Sequence, residues 1–215
     1  ETVAFIGATG SGKSSLAGLA ARFYDATRGE VLVDGVNVKE YSFDGLYNRI
    51  GYVTQRAVLF SGDIRENVLF GESRGGDTDG EVRQALELAQ AGEFVNKLPK
   101  GIHAPVAEGG TNLSGGQKQR VSIARALARK AEILIFDDSF SALDYRTDAR
   151  LRAGLSRELK DTTRLIVAQR IGTIRDADKI IVLDEGRMVG MGTHPELMKT
   201  CPVYQEIARS QLSAE

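Results

Sequence analysis

The stretch GATGSGKS, residues 7–14, constrains the fold more than any other part of the chain, because it directly follows an apolar run at residues 3–6. A strand, a turn with the spacing G-x-x-x-x-G-K-S and a helix form a loop whose backbone N–H groups surround phosphate oxygens. Lys13 would then reach the terminal phosphates of a nucleotide, and the Ser14 hydroxyl would bind Mg²⁺. The residues predicted to bind the nucleotide here are Thr9, Gly10, Ser11, Gly12, Lys13, Ser14 and Ser15.

Three other short β-branched runs also end at a polar residue, namely Gln55, Asp137 and Gln169. Apolar residues recur at helical spacing between some of these runs, at Leu16, Leu19, Ala20 and Phe23 and again at Leu151, Leu155 and Leu159. This alternation predicts an α/β fold with a mainly parallel sheet, in which ligands bind beyond the carboxyl ends of the strands. We therefore expect the phosphate loop and the three polar residues to lie at the same end of the sheet.

Residues 63–130 contain helical patterns and loops but no convincing strand, so we interpret them as a helical subdomain inserted into the α/β core. The core is then predicted to comprise residues 1–62 and 131–215. Within the helical part, ESRGGDTDG, residues 72–80, is predicted to be a flexible surface loop. Two hairpins are expected in the core, one turning at Asp34-Gly35 and the other at Glu185-Gly186.

Composition excludes several classes of protein. The formal net charge is −1 with 27% charged residues, so we expect no nucleic-acid partner. A single cysteine, Cys201, rules out an internal disulfide framework and is typical of a reducing compartment. The apolar runs are strand-sized, well below the roughly 18 residues of a membrane span. Because the chain starts inside a strand, we expect it to be part of a longer protein.

Two aspartates, Asp137 and Asp138, follow the apolar run ILIF. A strand-end aspartate by itself can either hold a metal ion or cap a helix. In a chain that also has a phosphate loop, the first aspartate is typically the one that holds Mg²⁺. The sequence therefore predicts that Asp137 binds the metal and leaves the role of Asp138 to be explained.

The segment LSGGQ, residues 113–117, precedes a helical pattern that runs to about Arg129. Ser114 is predicted to cap this helix. A cap alone does not require the two glycines and the glutamine that follow it. Exposed glycines at the start of a helix favour a second anion site, separate from the phosphate loop.

With these motifs the chain resembles the nucleotide-binding domain of ABC transporters over essentially its whole length. The phosphate loop, Gln55, LSGGQ, the acidic strand 133–137 and SALD, residues 141–144, occur in the order and spacing of that family. The resemblance implies a RecA-like P-loop NTPase core with ATP and Mg²⁺ as cofactors. It also implies a head-to-tail dimer, in which the phosphate loop of one chain and the LSGGQ of the other hold each ATP.

The resemblance also assigns roles to individual positions. Gln55 would contact Mg²⁺ and sense the terminal phosphate while its loop contacts the membrane domain, so the implied metal ligands are Ser14, Gln55 and Asp137. Asp144 would belong to the D-loop. The signature residues that would act on the ATP of the partner chain are Ser114, Gly115, Gly116 and Gln117.

Two further stretches resemble exporters within this family. They are VLFSGDIRENVLFG, residues 58–71, and PVAEGGTNLSGGQKQR, residues 105–120, in which Glu108 would face the membrane domain. They imply a transporter at the cytoplasmic face of the cell membrane, with its own transmembrane domain as a partner. A merely structural hairpin is the alternative for these stretches. The alternative function is a soluble ABC ATPase of repair or translation, which these stretches and the near-neutral charge disfavour.

The catalytic positions depart from the family pattern. The family has glutamate where this chain has Asp138, which is one methylene shorter, and histidine where it has Gln169, whose amide cannot carry a proton near pH 7. Such departures cost roughly 10²–10⁴-fold in rate. With Lys13, Asp138 and Gln169 form the predicted catalytic set of a weakly hydrolytic site, and the intact signature implies a second, different half-transporter as partner. A nucleotide clamp without turnover is the alternative.

The start of the chain leads to one more expectation. Family members stack adenine on an aromatic residue about two dozen positions before the phosphate loop, in a small antiparallel β subdomain. Only six residues precede Gly7, so this subdomain is expected to be largely missing and Phe5 to point into the core. The chain as given is therefore expected to be monomeric and to bind triphosphate weakly, with little preference for ATP over GTP. His103 and His194 are interpreted as structural.

Overall fold

A computed structural model describes residues 1–70 and 78–212 of the chain. The strands are β1 (Thr2–Gly7), β2 (Leu32–Val33), β3 (Val36–Asn37), β4 (Ile50–Val53), β5 (Gly62–Asp63), β6 (Pro105–Val106), β7 (Ile133–Asp137), β8 (Thr163–Val167), β9 (Lys179–Asp184) and β10 (Arg187–Gly192). The helices are α1 (Lys13–Ala20), α2 (Phe43–Tyr47), α3 (Ile64–Val68), α4 (Thr78–Leu88), α5 (Gly92–Asn96), α6 (Gly115–Ala128), α7 (Tyr145–Glu158), α8 (Ile171–Ile174), α9 (His194–Thr200) and α10 (Pro202–Leu212).

The main sheet has six strands in the order β10-β9-β1-β8-β7-β4. Strand β1 pairs in parallel with both β8 and β9, β7 pairs in parallel with β8, and β10 returns antiparallel to β9. All four strands expected from the sequence are present, and the mainly parallel α/β fold is confirmed. Asp137 lies opposite Val167 in the register of β7 and β8. The residues after these two strands therefore leave the sheet at the same end.

Both predicted hairpins are present. Asp34 and Gly35 connect β2 to β3, and Glu185 and Gly186 connect β9 to β10. At each turn both residues have positive φ, 50° and 77° in the first and 44° and 76° in the second. A glycine in the second position removes the steric cost of that conformation, which is why Asp-Gly and Glu-Gly mark these turns.

The chain divides into two compact units. The first contains Glu1–Tyr52, Glu132–Ser141 and Asp161–Glu215, and the second contains Val53–Ala131 and Ala142–Lys160. The division predicted from the sequence assigned residues 53–62 and 142–160 to the core. In the structure these residues group with the helical unit. Helix α7 belongs to that unit because it packs against α4. The functional meaning of the division remains a prediction.

Two details of the helical part differ from expectation. Strands β5 and β6 form an antiparallel pair of two residues each, too short to leave a periodic pattern in the sequence. Residues 78–80 of the predicted loop belong to α4, whose first turn carries Asp79 and Glu81, and acidic side chains stabilise a helix N-terminus. The rest of that predicted loop, residues 72–77, lies outside the described residues.

Helix α1 buries a different face from the one its apolar spacing predicts. It ends at Ala20, and Leu16 and Phe23 are 39% and 53% exposed. The buried face consists of Ala17, Gly18 and Ala21. Small residues let this helix approach β7 and β8 closely, so backbone proximity here outweighs the burial of larger side chains.

The hydrophobic core of the first unit lies under α1 and the 2-stranded hairpin. Its members are Phe5, Ala17, Ala21, Val33, Val38, Leu46, Ile50, Ile135 and Val167. Phe5 is buried in this cluster, as expected. In the second unit α3 and α4 pack against α6, and Leu151 and Leu155 of α7 are fully buried, as their spacing predicts. Leu159, the third residue of that pattern, follows the end of α7 and is half-buried. Each unit therefore has apolar contacts of its own.

Candidate nucleotide-binding site

The phosphate loop is a tight turn between β1 and α1. Gly10 and Gly12 have φ values of 84° and 96°, a left-handed conformation that glycine adopts without steric cost. Gly7 passes so close to the Leu183 carbonyl oxygen that a Cβ atom there would overlap it. The loop is further tied to the β9–β10 turn, since the Gly186 N–H donates to the Ser11 carbonyl at 3.2 Å. These glycines are therefore required by the loop geometry.

The Lys13 ammonium points back into this loop. It donates to the carbonyl oxygens of Gly7 and Ala8, both at 2.8 Å, and to the Ser11 hydroxyl at 3.4 Å. Burial lowers the pKa of Lys13, and the nearby carboxylates of Asp138 and Asp137 act in the opposite direction. A cation held by neutral carbonyls in a partly desolvated loop is well placed to receive an anion.

The predicted metal ligands Ser14 and Asp137 are in direct contact. The Ser14 hydroxyl donates to Asp137 Oδ1 at 2.7 Å across 123 residues of sequence. Both groups are oxygen donors of the kind that Mg²⁺ prefers. Across the described part of the chain, no three His, Cys, Asp or Glu side chains come together in a way that could hold a metal ion. As two adjacent oxygen donors, Ser14 and Asp137 fit a magnesium ion that takes its remaining ligands from a nucleotide and water.

Tyr52 is a residue of this site that the sequence analysis missed. Its hydroxyl donates to the second oxygen of Asp137, Oδ2, at 3.0 Å, and its ring packs against Phe23 with centroids 4.8 Å apart. Burial, followed by the charge of Asp137, raises the pKa of Tyr52, so the hydroxyl stays protonated as a donor. The available signal was its position near the end of β4, which borders β7 in the sheet.

We expect Tyr52→Phe to weaken Mg²⁺ binding in the presence of nucleotide by about tenfold, because residues that orient a metal ligand typically contribute that much. Titration of Mg²⁺ against the nucleotide-loaded chain measures this effect. Tyr41→Phe is the matched control, since it also removes one tyrosine hydroxyl bond, to the Val33 carbonyl at 3.0 Å. Equal Mg²⁺ affinity in both variants would mean that Tyr52 does not orient Asp137.

The two residues that depart from the family pattern contact each other. Gln169 Nε2 donates to Asp138 Oδ2 at 2.6 Å. Asp138 is buried, and its own N–H donates to the Val167 carbonyl at 2.9 Å. Its φ of 48° is left-handed, which aspartate tolerates better than most residues. A neutral amide therefore faces a short carboxylate at this end of the sheet.

The signature segment begins α6 as predicted. Ser114 caps the helix by accepting from the Gln117 N–H at 3.3 Å, and Gln117 Oε1 accepts from the Ser114 N–H at 2.9 Å. Apart from its chain neighbours and the backbone of its own helix, no described residue has a heavy atom within 4 Å of a Cβ placed on Gly115. A Cβ on Gly116 would lie 3.3 Å from the Ala142 carbonyl oxygen. One glycine is thus open to solvent and the other allows a close backbone approach.

Of the other predicted positions, one caps a helix and three are exposed to solvent. Asp144 caps α7 by accepting from the Thr147 N–H at 3.0 Å and hydroxyl at 2.7 Å, and these bonds lower its pKa. Gln55 is exposed two residues after β4, and its contact with magnesium remains a prediction. Thr9 and Ser15 are exposed at the loop.

The histidines have partners outside the loop. His103 lies 3.3 Å from an Asp63 carboxylate oxygen, and His194 Nδ1 lies 2.8 Å from the Tyr204 hydroxyl. Both arrangements agree with structural roles.

Among residues 1–70 and 78–212, no helix has the length and apolar character needed to cross a membrane.

Comparison with known proteins shows the family of the chain. The family model described as ABC transporter matches residues 1–141. An uncharacterized ABC transporter ATP-binding protein of Mycobacterium tuberculosis is 48% identical over 214 residues, which are 98% of this chain and 36% of that protein. A putative multidrug export ATP-binding/permease protein of Staphylococcus aureus is 46% identical over 207 residues, 96% of this chain and 36% of the relative.

A solved structure gives the same result. A bacterial Atm1-family ABC exporter with ATP bound matches with a TM-score of 0.93 and 37% identity, over 98% of this chain and 37% of that one. The chain therefore spans about a third of the length of these relatives. Since the family model covers 141 of the 215 residues, the chain belongs to the ABC transporter family.

Proposed function

We propose that the chain is the ATP-binding and ATP-hydrolysing domain of an ABC exporter, in which ATP binding and hydrolysis drive export of a substrate across a membrane. Two relatives support the exporter assignment by name, one as a multidrug export ATP-binding/permease protein and one as an Atm1-family exporter with ATP bound. Within the chain, the phosphate loop and the contact between Ser14 and Asp137 provide the chemistry that ATP and Mg²⁺ need.

Residues of this chain would hold the nucleotide by its phosphates. Backbone N–H groups of residues 9–15 and the N-terminus of α1 bind phosphate oxygens, and Lys13 exchanges its carbonyl partners for the terminal phosphates. Ser14 and Asp137 hold Mg²⁺, with Gln55 as a further predicted ligand. The ion neutralises charge on the phosphates when it is bound. Tyr52 keeps Asp137 oriented toward Ser14.

We infer that hydrolysis at this site is slow, and the contact between Gln169 and Asp138 is the observation that carries this inference. A general base must come within hydrogen-bond distance of the proton it takes. The Asp138 carboxylate is one methylene short for the position of a glutamate, and one of its oxygens already accepts from Gln169. The amide of Gln169 can donate to a phosphate oxygen, but it cannot carry a proton.

The signature segment would serve a different chain. Ser114 and Gly115 are exposed at the start of α6, where backbone N–H groups and a hydroxyl can meet a phosphate. In the dimer implied by the family, that phosphate belongs to the ATP of the partner. A weak site in one chain and an intact signature are the expected combination for one half of a heterodimeric exporter. We therefore propose a second, different half-transporter as partner.

The transmembrane domain of the same transporter is the other proposed partner, with the chain at the cytoplasmic face. The exposed side chains of the stretch that resembles exporters support this. Val58, Phe60 and Phe70 are 56%, 42% and 50% exposed, and the two phenylalanine rings stack with centroids 4.2 Å apart. Arg125 lies over both rings, 5.4 and 5.5 Å from their centroids. Such an apolar surface is suited to protein contact.

A second candidate is a clamp that binds ATP and never hydrolyses it. The contact between Gln169 and Asp138 also favours this candidate, since both side chains are engaged with each other. The two functions differ only in the turnover of this chain's own site.

We expect Ser114→Ala to lower ATP hydrolysis roughly tenfold in the pair formed with a half-transporter that has Glu and His at the two catalytic positions. The lost hydroxyl would donate to the partner's phosphate, and a hydrogen bond to a charged group is worth about 1.5–3 kcal/mol. Steady-state phosphate release measures the effect.

The control for this variant is Ser42→Ala, because Ser42 also caps a helix, accepting from the Gly45 N–H at 3.1 Å. Both substitutions remove a cap worth about 1 kcal/mol of stability. Equal rates in the two variants would contradict the proposed role of the signature toward a partner.

A further inference from the structure

The side chain of Gln211, near the end of α10, holds the segment 169–171 at two points. Its Oε1 accepts from the Ile171 N–H at 2.8 Å, and its Nε2 donates to the Gln169 carbonyl oxygen at 2.6 Å. One amide group thus satisfies a donor and an acceptor of the same short backbone segment. These contacts span 40 and 42 residues of sequence, so they are tertiary contacts and not part of a local turn.

The segment 169–171, which Gln211 holds, contains Gln169, and packing alone does not fix the position of this residue. Ala168 is buried and bound to β1, its N–H donating to the Phe5 carbonyl at 3.1 Å. Gln169 and Arg170 are exposed, and α8 begins at Ile171. An exposed backbone segment keeps its position mainly through hydrogen bonds. The direction of the Gln169 side chain toward Asp138 therefore depends on what holds residues 169–171.

Gln211 supplies the hydrogen-bond acceptor that the side chain of Arg170 lacks. Arg170 occupies the N-cap position of α8, but a guanidinium has only donors and cannot accept from the first N–H groups of a helix. One Arg170 nitrogen donates to the Ser141 carbonyl at 3.3 Å instead. The Gln211 oxygen accepts from Ile171, the first residue of α8, and thereby caps this short helix from another part of the chain.

Helix α10 is itself well anchored. Tyr204 and Ala208 are 0% and 4% exposed, and the helix contacts β1, β9 and α8. The position of Gln211 is therefore set by β1, which leads into the phosphate loop, and by β9, whose turn to β10 contacts that loop. This gives the amide a fixed frame from which to hold the segment after β8.

We propose that Gln211 is a positioning residue of the nucleotide site: its side-chain amide fixes the backbone of residues 169–171 so that Gln169 meets Asp138. The geometry of this contact stands by itself, and its consequence for the terminal phosphate rests on the proposed function. Gln211 touches the Gln169 carbonyl and not its side chain, so it acts through the backbone.

The first test follows the side-chain amide of Gln169 in ¹H–¹⁵N spectra of the chain, assigned by its loss in Gln169→Ala. Gln211→Leu, which has similar volume and no polar atoms, is expected to shift this signal toward a free amide and to speed its hydrogen exchange roughly tenfold. Gln205→Leu, in the same helix, is expected to leave it unchanged. An unchanged Gln169 signal in folded Gln211→Leu overturns the proposal.

A second variant distinguishes the bond to the Ile171 N–H from the bond to the Gln169 carbonyl. It also provides the test if Gln211→Leu fails to fold. Gln211→Glu keeps the acceptor for the Ile171 N–H but places a carboxylate oxygen against the Gln169 carbonyl. We expect slow exchange of the Ile171 amide to persist while the Gln169 side-chain signal shifts. A Gln169 signal at its wild-type position in this variant overturns the proposal, because the bond to the carbonyl would then be unnecessary.

The consequence for function is measured by comparing the affinities of the variant for ATP and for ADP. Gln211→Leu is expected to weaken ATP binding roughly tenfold, the loss of one hydrogen bond to a charged group, and to leave ADP binding unchanged. Addition of Gln169→Ala should cause no further loss. Equal weakening for ATP and ADP would indicate a general structural role and overturn the proposal. If the wild-type chain binds neither nucleotide, the proposed function fails, while the Gln169 signal still decides the role of Gln211.

Discussion

Replacement of Lys13 by alanine is expected to reduce the affinity of the chain for ATP by roughly 10²–10⁴-fold, which corresponds to the loss of two hydrogen bonds to a charged group. The Lys13 ammonium is held inside the loop by the Gly7 and Ala8 carbonyls at 2.8 Å. A triphosphate would compete for this cation, and no uncharged side chain can replace it. Isothermal titration calorimetry with ATP and Mg²⁺ measures the change.

The same substitution is expected to leave the fold intact. Burial lowers the pKa of Lys13, so the charged form is partly desolvated in the folded chain. Alanine removes that cost together with the hydrogen bonds, and the two effects oppose each other. Thermal unfolding of Lys13→Ala should therefore resemble that of wild type.

Lys39→Ala is the matched control for this experiment, because its ammonium also donates to a backbone carbonyl, that of Ala26 at 3.2 Å, outside the phosphate loop. Its ATP affinity should equal that of wild type. Equal ATP affinity in Lys13→Ala would show that residues 7–14 do not bind the phosphates, and the proposed function would fail with it.

The local structures that the sequence predicted correctly depend on local spacing, while the binding roles of these residues stay predictions. The phosphate loop lies between β1 and α1 as its glycines require, and Ser114 caps α6. The contact between Ser14 and Asp137 was also within reach. The loops that follow β1 and β7 leave the sheet at the same end, although β8 lies between these two strands. In each case residue type and chain order were sufficient.

The parts that it missed depend on contacts between distant residues. Tyr52 reaches Asp137 across 85 residues and Gln211 reaches Gln169 across 42, and the neighbouring sequence of Tyr52 or Gln211 does not identify these distant partners. The buried face of α1 was wrong for a related reason. Close approach to the sheet selects Ala17 and Ala21 there, whereas apolar periodicity gives most weight to large residues such as Leu16 and Phe23.

Asp138→Glu combined with Gln169→His is expected to raise ATP turnover at this chain's own site by roughly 10²–10⁴-fold in the pair with a competent half-transporter, which is the usual contribution of general acid–base catalysis. The glutamate extends the carboxylate by one methylene toward the attacking water. The histidine replaces an amide that at present donates to Asp138 at 2.6 Å, and its imidazole can carry a proton near neutral pH. Phosphate release with Ser114→Ala in the chain isolates this site, because that change slows the partner's site.

The single variants show how the two positions depend on each other. With Asp138→Glu alone, the Gln169 amide can still bind the longer carboxylate, and with Gln169→His alone the short aspartate remains, so each should recover only part of the gain. The φ of 48° at residue 138 favours aspartate over glutamate, which predicts a small loss of stability in both variants that contain glutamate.

The wild-type chain by itself should turn over ATP far more slowly than ordinary enzymes turn over their substrates, for which the median is about 10 per second. Turnover of several per second by the wild-type chain alone would mean that Asp138 already acts as an adequate base, and the contact with Gln169 would then have to open during catalysis.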